Sequence, residues 1–147
     1  MKPSWEGLFA RSRRDHSVFG SMLYMGDRLR YWESKTVFPL TGDHVEIFVD
    51  GSAEDKEFNV QAAFYAEICN RWPKLADVIF PTLRERLQMR YPDRADSAQF
   101  TVSSLSIPQN EFMSGEWSVS FETPLDPGHL YTVRMKGDKV IGVVLDG

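Results

Sequence analysis

The sequence predicts an α+β fold, in which an antiparallel β-sheet built from hairpins carries two consecutive central helices on one face. Three Gly-Asp pairs stand between runs of strand-forming residues, at positions 26–27, 42–43 and 137–138. Glycine adopts the positive φ angle of a tight turn without strain, so each pair marks a hairpin. Helical patterns lie only between the two groups of strands, which predicts that the helices share one face of the sheet.

The pattern of residues in the first third of the chain predicts strands. Residues 18–25 and 29–32 flank the first Gly-Asp turn, and the second turn leads into residues 44–49. In this last run, valine and isoleucine alternate with other side chains, which predicts one buried face and one mixed face.

The centre of the chain predicts two helices. Ser52, followed three residues later by Asp55, has the spacing of a helix N-cap and its reciprocal partner. A stripe of apolar residues then predicts a helix over residues 53–71. Pro73 suits the first turn of a second helix, and Pro81 is expected to kink or split that helix because it cannot donate to the carbonyl four residues earlier.

The remaining residues read as strands again. Residues 100–107 and 117–121 are rich in strand formers, and the second run alternates apolar with polar side chains. The last Gly-Asp pair joins two further alternating runs, 131–136 and 141–145. The hairpins imply antiparallel neighbours throughout the sheet.

Composition and charge narrow the class of protein. The 147 residues predict a single domain, 1–147, and 42% hydrophobic and 26% charged residues are ordinary for a soluble protein. No apolar run approaches the ~20 residues of a membrane span, and the N-terminus lacks an apolar leader. Cys69 is the sole cysteine. We therefore expect a cytoplasmic protein that binds neither membrane nor nucleic acid, the net charge of -4 being far from basic.

Candidate chemistry is sparse. No catalytic, metal-binding or phosphate-binding motif stands out, so we expect no cofactor and, on balance, no enzymatic activity. The best candidate is the loop holding Asp126 and His129, with Asp146 or Glu122 nearby. A histidine in a rigid loop can either move a proton or hold the loop in shape, and both roles stay open for His129.

Aromatic residues suggest a binding surface. They make up 13% of the chain. Alternation places Trp32 and Phe48 opposite the expected core, so they are the candidate exposed aromatics for a partner. The alternative is that this face is covered by residues of the N-terminal segment, Trp5, Leu8 and Phe9. Six acidic residues and one lysine fall in residues 36–57, and six acidic and three basic residues in 101–147. Such a surface favours a basic partner.

Residues 117–147 resemble the tail of bacterial α+β domains of the immunity-protein-like type, which neutralise polymorphic toxins, and the predicted central helix pair shows a looser likeness. The resemblance lies in an aromatic strand, an Asp-x-x-His loop and a valine-rich hairpin that ends near an aspartate: 117–121, 125–129, 131–133, 137–140 and 146–147. This chain has Gly128 where stronger versions of the pattern carry glutamate.

The sequence therefore predicts a non-catalytic bacterial protein that binds another protein, with toxin neutralisation as the function that the resemblance implies. Two alternatives stay open. One is a small enzyme or ligand-binding domain that uses the loop of Asp126 and His129. The other is self-association of the chain into a homodimer.

Overall fold

The computed structural model describes residues 13–52, 58–108 and 115–146. It contains eight strands, one long helix and a short 3-10 turn at Ala95–Ser97. In chain order these are β1 (Arg13–His16), β2 (Gly20–Tyr24), β3 (Tyr31–Val37), β4 (His44–Asp50), α1 (Asn59–Gln88), β5 (Thr101–Ile107), β6 (Glu116–Glu122), β7 (Leu130–Lys136) and β8 (Lys139–Asp146).

The eight strands form one sheet in which spatial order equals chain order. Strands β1 to β4 run antiparallel to their neighbours, and so do β5 to β8. Strands β4 and β5 are parallel, with Ile47 opposite Leu105. A parallel pair needs a long crossover, and α1 supplies it. The expectation of antiparallel neighbours throughout is therefore wrong at this pair, and the sheet is mixed.

The prediction of two consecutive helices is wrong, because one helix of 30 residues spans the whole region. Pro73 and Pro81 both lie inside it, on its exposed side. The apolar stripe runs on past both prolines, so burial of a continuous face outweighs the local cost of each ring. Strands dominate the described residues, and the fold is mostly β with one covering helix.

The start of the helix also differs from the prediction. Helix α1 begins at Asn59, after Phe58 in a left-handed conformation with a φ angle of 51° and with no side-chain cap. The predicted cap at Ser52 and Asp55 depends on residues 53–57, which lie outside the described residues.

The three Gly-Asp turns are confirmed. Gly26, Gly42 and Gly137 have φ angles of 101°, 76° and 56°. They lie in the connections β2–β3, β3–β4 and β7–β8. Glycine is required there because a Cβ atom would be strained at such angles.

Helix α1 covers one face of the sheet, called here the helix face. The core lies between them and includes Trp32, Ile47, Leu83 and Tyr131. Alternate strand residues point to the opposite face, called here the open face. By register its members include Tyr31, Glu33, Lys35, Glu46, Phe48, Ser104, Ser106, Ser118, Ser120, Glu122, Leu130, Thr132, Arg134, Val144 and Asp146.

Within the part of the chain that the structure describes, α1 falls short of the length of apolar sequence that a membrane-crossing helix needs.

We expect Pro81→Ala to raise the free energy of unfolding by about 1–3 kcal/mol and to increase helical circular dichroism. Alanine restores an amide that can donate to the carbonyl of Asp77 within the helix. Urea unfolding measures the change. Pro92→Ala, in the loop after α1, is the matched control and should change stability by no more than about 0.5 kcal/mol. A neutral or destabilising Pro81→Ala would contradict an unbroken helix.

Candidate functional site

The loop between β6 and β7, residues 123–129, is called here the Asp126 loop. Its backbone is held by three short-range hydrogen bonds: the Asp126 amide donates to the Thr123 carbonyl at 3.1 Å, the Leu125 amide to the Thr123 hydroxyl at 3.3 Å, and the His129 amide to the Asp126 carbonyl at 3.4 Å. Gly128 has a φ angle of 83°, which lets the chain turn back into β7. The loop therefore holds the Asp126 side chain in a fixed direction.

The Asp126 carboxylate is 2% exposed and is surrounded by four donors. Oδ1 accepts from the Tyr91 hydroxyl at 3.1 Å and lies 2.7 Å from His129 Nδ1. Oδ2 accepts from the buried Tyr131 hydroxyl and forms an ion pair with Arg90 Nε at 3.2 Å. A buried carboxylate is stable only when its oxygens are satisfied in this way. Asp126 thus joins the end of α1, its own loop and strand β7.

These contacts set the pKa of Asp126. Burial acts to raise the pKa of the carboxyl group, since it disfavours the charged form. Hydrogen bonds from Tyr131, His129 and Tyr91, together with the charge of Arg90, outweigh burial and hold the pKa of Asp126 below its usual range. The opposite effect appears at Tyr131, where burial first and then the bond to Asp126 raise the pKa of the phenol.

His129 is oriented by Asp126. Because an ionised carboxylate can only accept, His129 must carry its proton on Nδ1. Nε2 has no hydrogen-bond partner among the described residues, and the side chain is 34% exposed. In the neutral ring Nε2 is therefore a lone-pair acceptor, available to a ligand or a substrate proton.

A cleft of about 630 Å³ lies beside the Asp126 loop. Its floor is a row across the open face, in which Thr101 pairs with Glu122 and Leu130 pairs with Asp146. Glu122 and Asp146 are exposed on either side of Leu130. Two strand spacings separate their backbones by about 10 Å. The cleft thus offers two carboxylates on either side of the apolar Leu130 side chain, with His129 in its wall.

The structure brings Asp126 and His129 into direct contact, and Asp146 lines the same cleft. In the described chain, no hydrogen bond or ion pair joins Asp146 to either residue. Within those same ranges no three His, Cys, Asp or Glu side chains are grouped to hold a metal ion.

Sequence reasoning missed Tyr91, Arg90 and Tyr131 as partners of Asp126. Alternation predicts that Tyr131 is buried, and a buried tyrosine hydroxyl needs a hydrogen-bond partner. The sequence therefore contained a signal for a polar contact at Tyr131. Tyr91 and Arg90 follow α1 and lie 35 and 36 positions before Asp126 in the chain. Nothing in the local sequence connects positions so far apart.

The two candidate aromatics have different environments. Trp32 is fully buried on the helix face, where its Nε1 donates to the Ser52 carbonyl at 3.0 Å. The prediction of Trp32 as an exposed aromatic is therefore wrong, because the register of β3 points Tyr31 outward instead. Phe48 lies half-buried on the open face. Its ring packs edge to face against the ring of Tyr31, and the two ring centroids are 5.5 Å apart. The N-terminal residues that are the alternative cover for this face lie outside the residues that the structure describes: Trp5, Leu8 and Phe9.

Comparison with known proteins assigns no role to this site. No protein-family model, curated protein or solved structure matches the chain. The resemblance to immunity-protein-like domains stays a prediction, and function has to be argued from the geometry.

We expect Asp126→Asn to lower the free energy of unfolding at pH 7 by about 2–4 kcal/mol, because the amide group turns a donor toward groups that themselves donate. Glu122→Gln, at the exposed last residue of β6, is the control and should cost no more than about 0.5 kcal/mol. Urea unfolding compares the two variants with the wild type.

The same difference should depend on pH. The pKa of Asp126 is lower in the folded chain than the usual value of about 4, so its contribution is complete above that pH and disappears as the pH falls through the folded pKa. The stability gap between wild type and Asp126→Asn should therefore narrow below about pH 4. A gap that stays constant down to acid unfolding would show that the charge of Asp126 is not what stabilises the fold.

Proposed function

We propose that this chain is a bacterial cytoplasmic protein that works by binding another protein through the open face, as a toxin-neutralising immunity protein. The observation that supports this most is the half-buried pair of Tyr31 and Phe48 on the face that α1 leaves uncovered. Large aromatics on a sheet face that no described element covers are typical of protein-binding surfaces.

The aromatic pair has the form of an interface anchor. The two rings lie at an interplanar angle of 85°, so each limits the rotamers of the other. Rigid aromatic side chains lose little conformational entropy on binding, and they dominate the energy of many interfaces.

The neighbours of the pair favour a basic partner. Glu33 lies directly opposite Phe48 on the next strand, and Glu46 lies opposite Lys35. This gives the patch two carboxylates and one ammonium group, on a chain of net charge -4. Such a charge pattern raises the association rate and the specificity for a basic surface.

Beside the aromatic patch, two rows of serines cross the open face. Ser104 pairs with Ser120, and Ser106 pairs with Ser118. The Ser120 hydroxyl is buried and pairs with the Thr132 hydroxyl at 2.8 Å, whereas the other three serines are half-buried. Small hydroxyl side chains let a partner approach the sheet closely, and each offers a donor and an acceptor. The open face thus combines an aromatic anchor with an adaptable polar surface.

We expect co-expression of this chain with the product of the neighbouring gene to restore growth that the product alone arrests, and the two to copurify. Phe48→Ala should weaken binding at least about tenfold, because it removes one of the two rings of the aromatic pair. Val78→Ala, at an exposed position of α1, is the control and should bind like wild type. Calorimetric titration measures both.

Either of two results would remove this proposal. The neighbouring product could be harmless and show no binding, or Phe48→Ala could bind and protect as well as wild type. Thermal unfolding of each variant establishes that it is folded before binding is compared.

A second candidate, a ligand-binding or small enzymatic role, is favoured by one specific observation: His129 presents Nε2 in the wall of a cleft that also holds Glu122 and Asp146. This arrangement suits an alkylammonium ion. The charge of the ion would lie near the two carboxylates and His129 Nε2, and its carbon chain would contact the Leu130 side chain.

We expect butylammonium chloride to shift the backbone amide signals of Leu130 and His129 in a saturable way, and sodium butyrate at equal ionic strength to leave them unchanged. Glu122→Gln should weaken the ammonium response several-fold, since it removes one of the two charges. Lys74→Gln, on the exposed side of α1, is the control. Equal responses to both salts would exclude a cation-binding cleft.

A further inference from the structure

The two edges of the sheet are built differently. Strand β1 has four residues, Arg13–His16, and every one is charged or polar. Strand β8 has eight residues, Lys139–Asp146, with a charge only at each end. Short, charged edges resist pairing with another strand, whereas long apolar edges invite it. Among the described residues β8 pairs only with β7, so its outer backbone groups face away from the sheet.

We propose that β8 pairs edge to edge with β8 of a second copy of this chain, in the antiparallel direction, and so joins two sheets into one. This inference concerns a surface separate from the aromatic patch of the open face and does not rest on the binding function proposed above.

The charges of β8 select the second copy as the occupant. Antiparallel pairing about a two-fold axis at Val143, with the bulged Ile141 of each copy left unpaired, places Lys139 of one copy opposite Asp146 of the other, at both ends of the contact. The register with β7 puts both side chains on the open face, so they point the same way. Opposite charges in directly paired positions stabilise a sheet.

The apolar side chains follow the same register. Val144 lies opposite Gly142 of the second copy and beside the bulged Ile141, and Val144 and Ile141 are each 42% exposed in the single chain. Val140 lies opposite Leu145, and both belong to the helix face. Pairing therefore covers exposed apolar surface and extends the face that α1 packs against.

Lys139 forms no ion pair among the described residues, and the nearest carboxylate in its row, Glu116, lies beyond Lys136 on β6. The paired neighbour of Lys139 on β7 is Lys136, and like charges in opposed positions repel each other. Asp146 of the second copy would stand on the other side of Lys139 and relieve that repulsion. Asp146 lines the cleft as well, so the second copy would add its own Lys139 to the rim of the cleft.

Two features set the strength of the contact. The extra residue Ile141, between the pairs formed by Val140 and Gly142, makes the ladder irregular near the axis. An edge of eight residues is also smaller than the ~800 Å² per partner of a standard stable interface. We expect a weak dimer, which forms as the concentration rises.

Sedimentation equilibrium on the full chain from about 10 µM to about 1 mM brackets such an affinity. The average mass should rise toward that of a dimer. Lys139→Asp and Asp146→Lys should each raise the dissociation constant about tenfold or more, because each sets two like-charged pairs in contact. The double variant Lys139→Asp with Asp146→Lys exchanges the charges and should restore affinity to within about threefold of wild type.

Lys74→Asp, an equal charge change on the exposed side of α1, is the control and should leave the equilibrium unchanged. Amide hydrogen exchange in β8 should slow at high concentration, which a dimer through another surface would not cause. A monomer at every concentration overturns the proposal. So does a dimer that the single charge changes leave intact, or one that the double exchange fails to restore.

Discussion

The unbroken apolar stripe of α1 is the constraint on which the rest of the structure depends. A helix of 30 residues extends for about 45 Å, enough to cross the sheet and return the chain beside β4. That return makes β4 and β5 parallel and divides the sheet into two antiparallel halves. Because this is the one long helix of the described residues, it covers one face of the sheet and leaves the open face without a helix in the part of the chain that the structure describes.

The buried carboxylate of Asp126 secures the end of this arrangement. Tyr91 and Arg90 stand just after α1, and Tyr131 stands in β7, so their shared contact ties the helix terminus to the sheet. Removing the Asp126 carboxylate leaves the buried Tyr131 hydroxyl without its hydrogen-bond partner. The same network orients His129 and shapes the cleft, so a structural group and a candidate ligand site share one carboxylate.

Much of the fold was predictable where local chemistry decides it. Gly26, Gly42 and Gly137 mark real turns because no other residue adopts their φ angles freely. Pro73 misled the helix prediction, since a proline at the start of a helix and one tolerated within it look alike in sequence. Only the packing of Trp72 and Leu75 on the same sheet face distinguishes the two cases. Local chemistry cannot supply that information.

The candidate site was predictable in part for the same reason. Asp126 and His129 lie three residues apart, so a loop brings them together without help from the rest of the chain. The prediction that Trp32 is exposed was wrong because Trp32 and Tyr31 are adjacent in β3 and point to opposite faces. Alternation alone does not fix which of two adjacent aromatics is buried. The cleft itself depends on four strands meeting in one row, which only the assembled sheet defines.

The unequal edges of the sheet bear on how far association can go. If both edges accepted a strand, each added copy would expose a fresh edge, and growth would continue into a fibre. Here β1 is short and consists of charged and polar residues, Arg13–His16, which disfavour pairing with another strand at that edge of the described sheet. In the proposed dimer each chain uses its β8 edge, Lys139–Asp146, to bind the other, so neither edge is left to bind a third copy. A long apolar edge strand in this sheet is therefore compatible with a dimer and does not lead to continued aggregation.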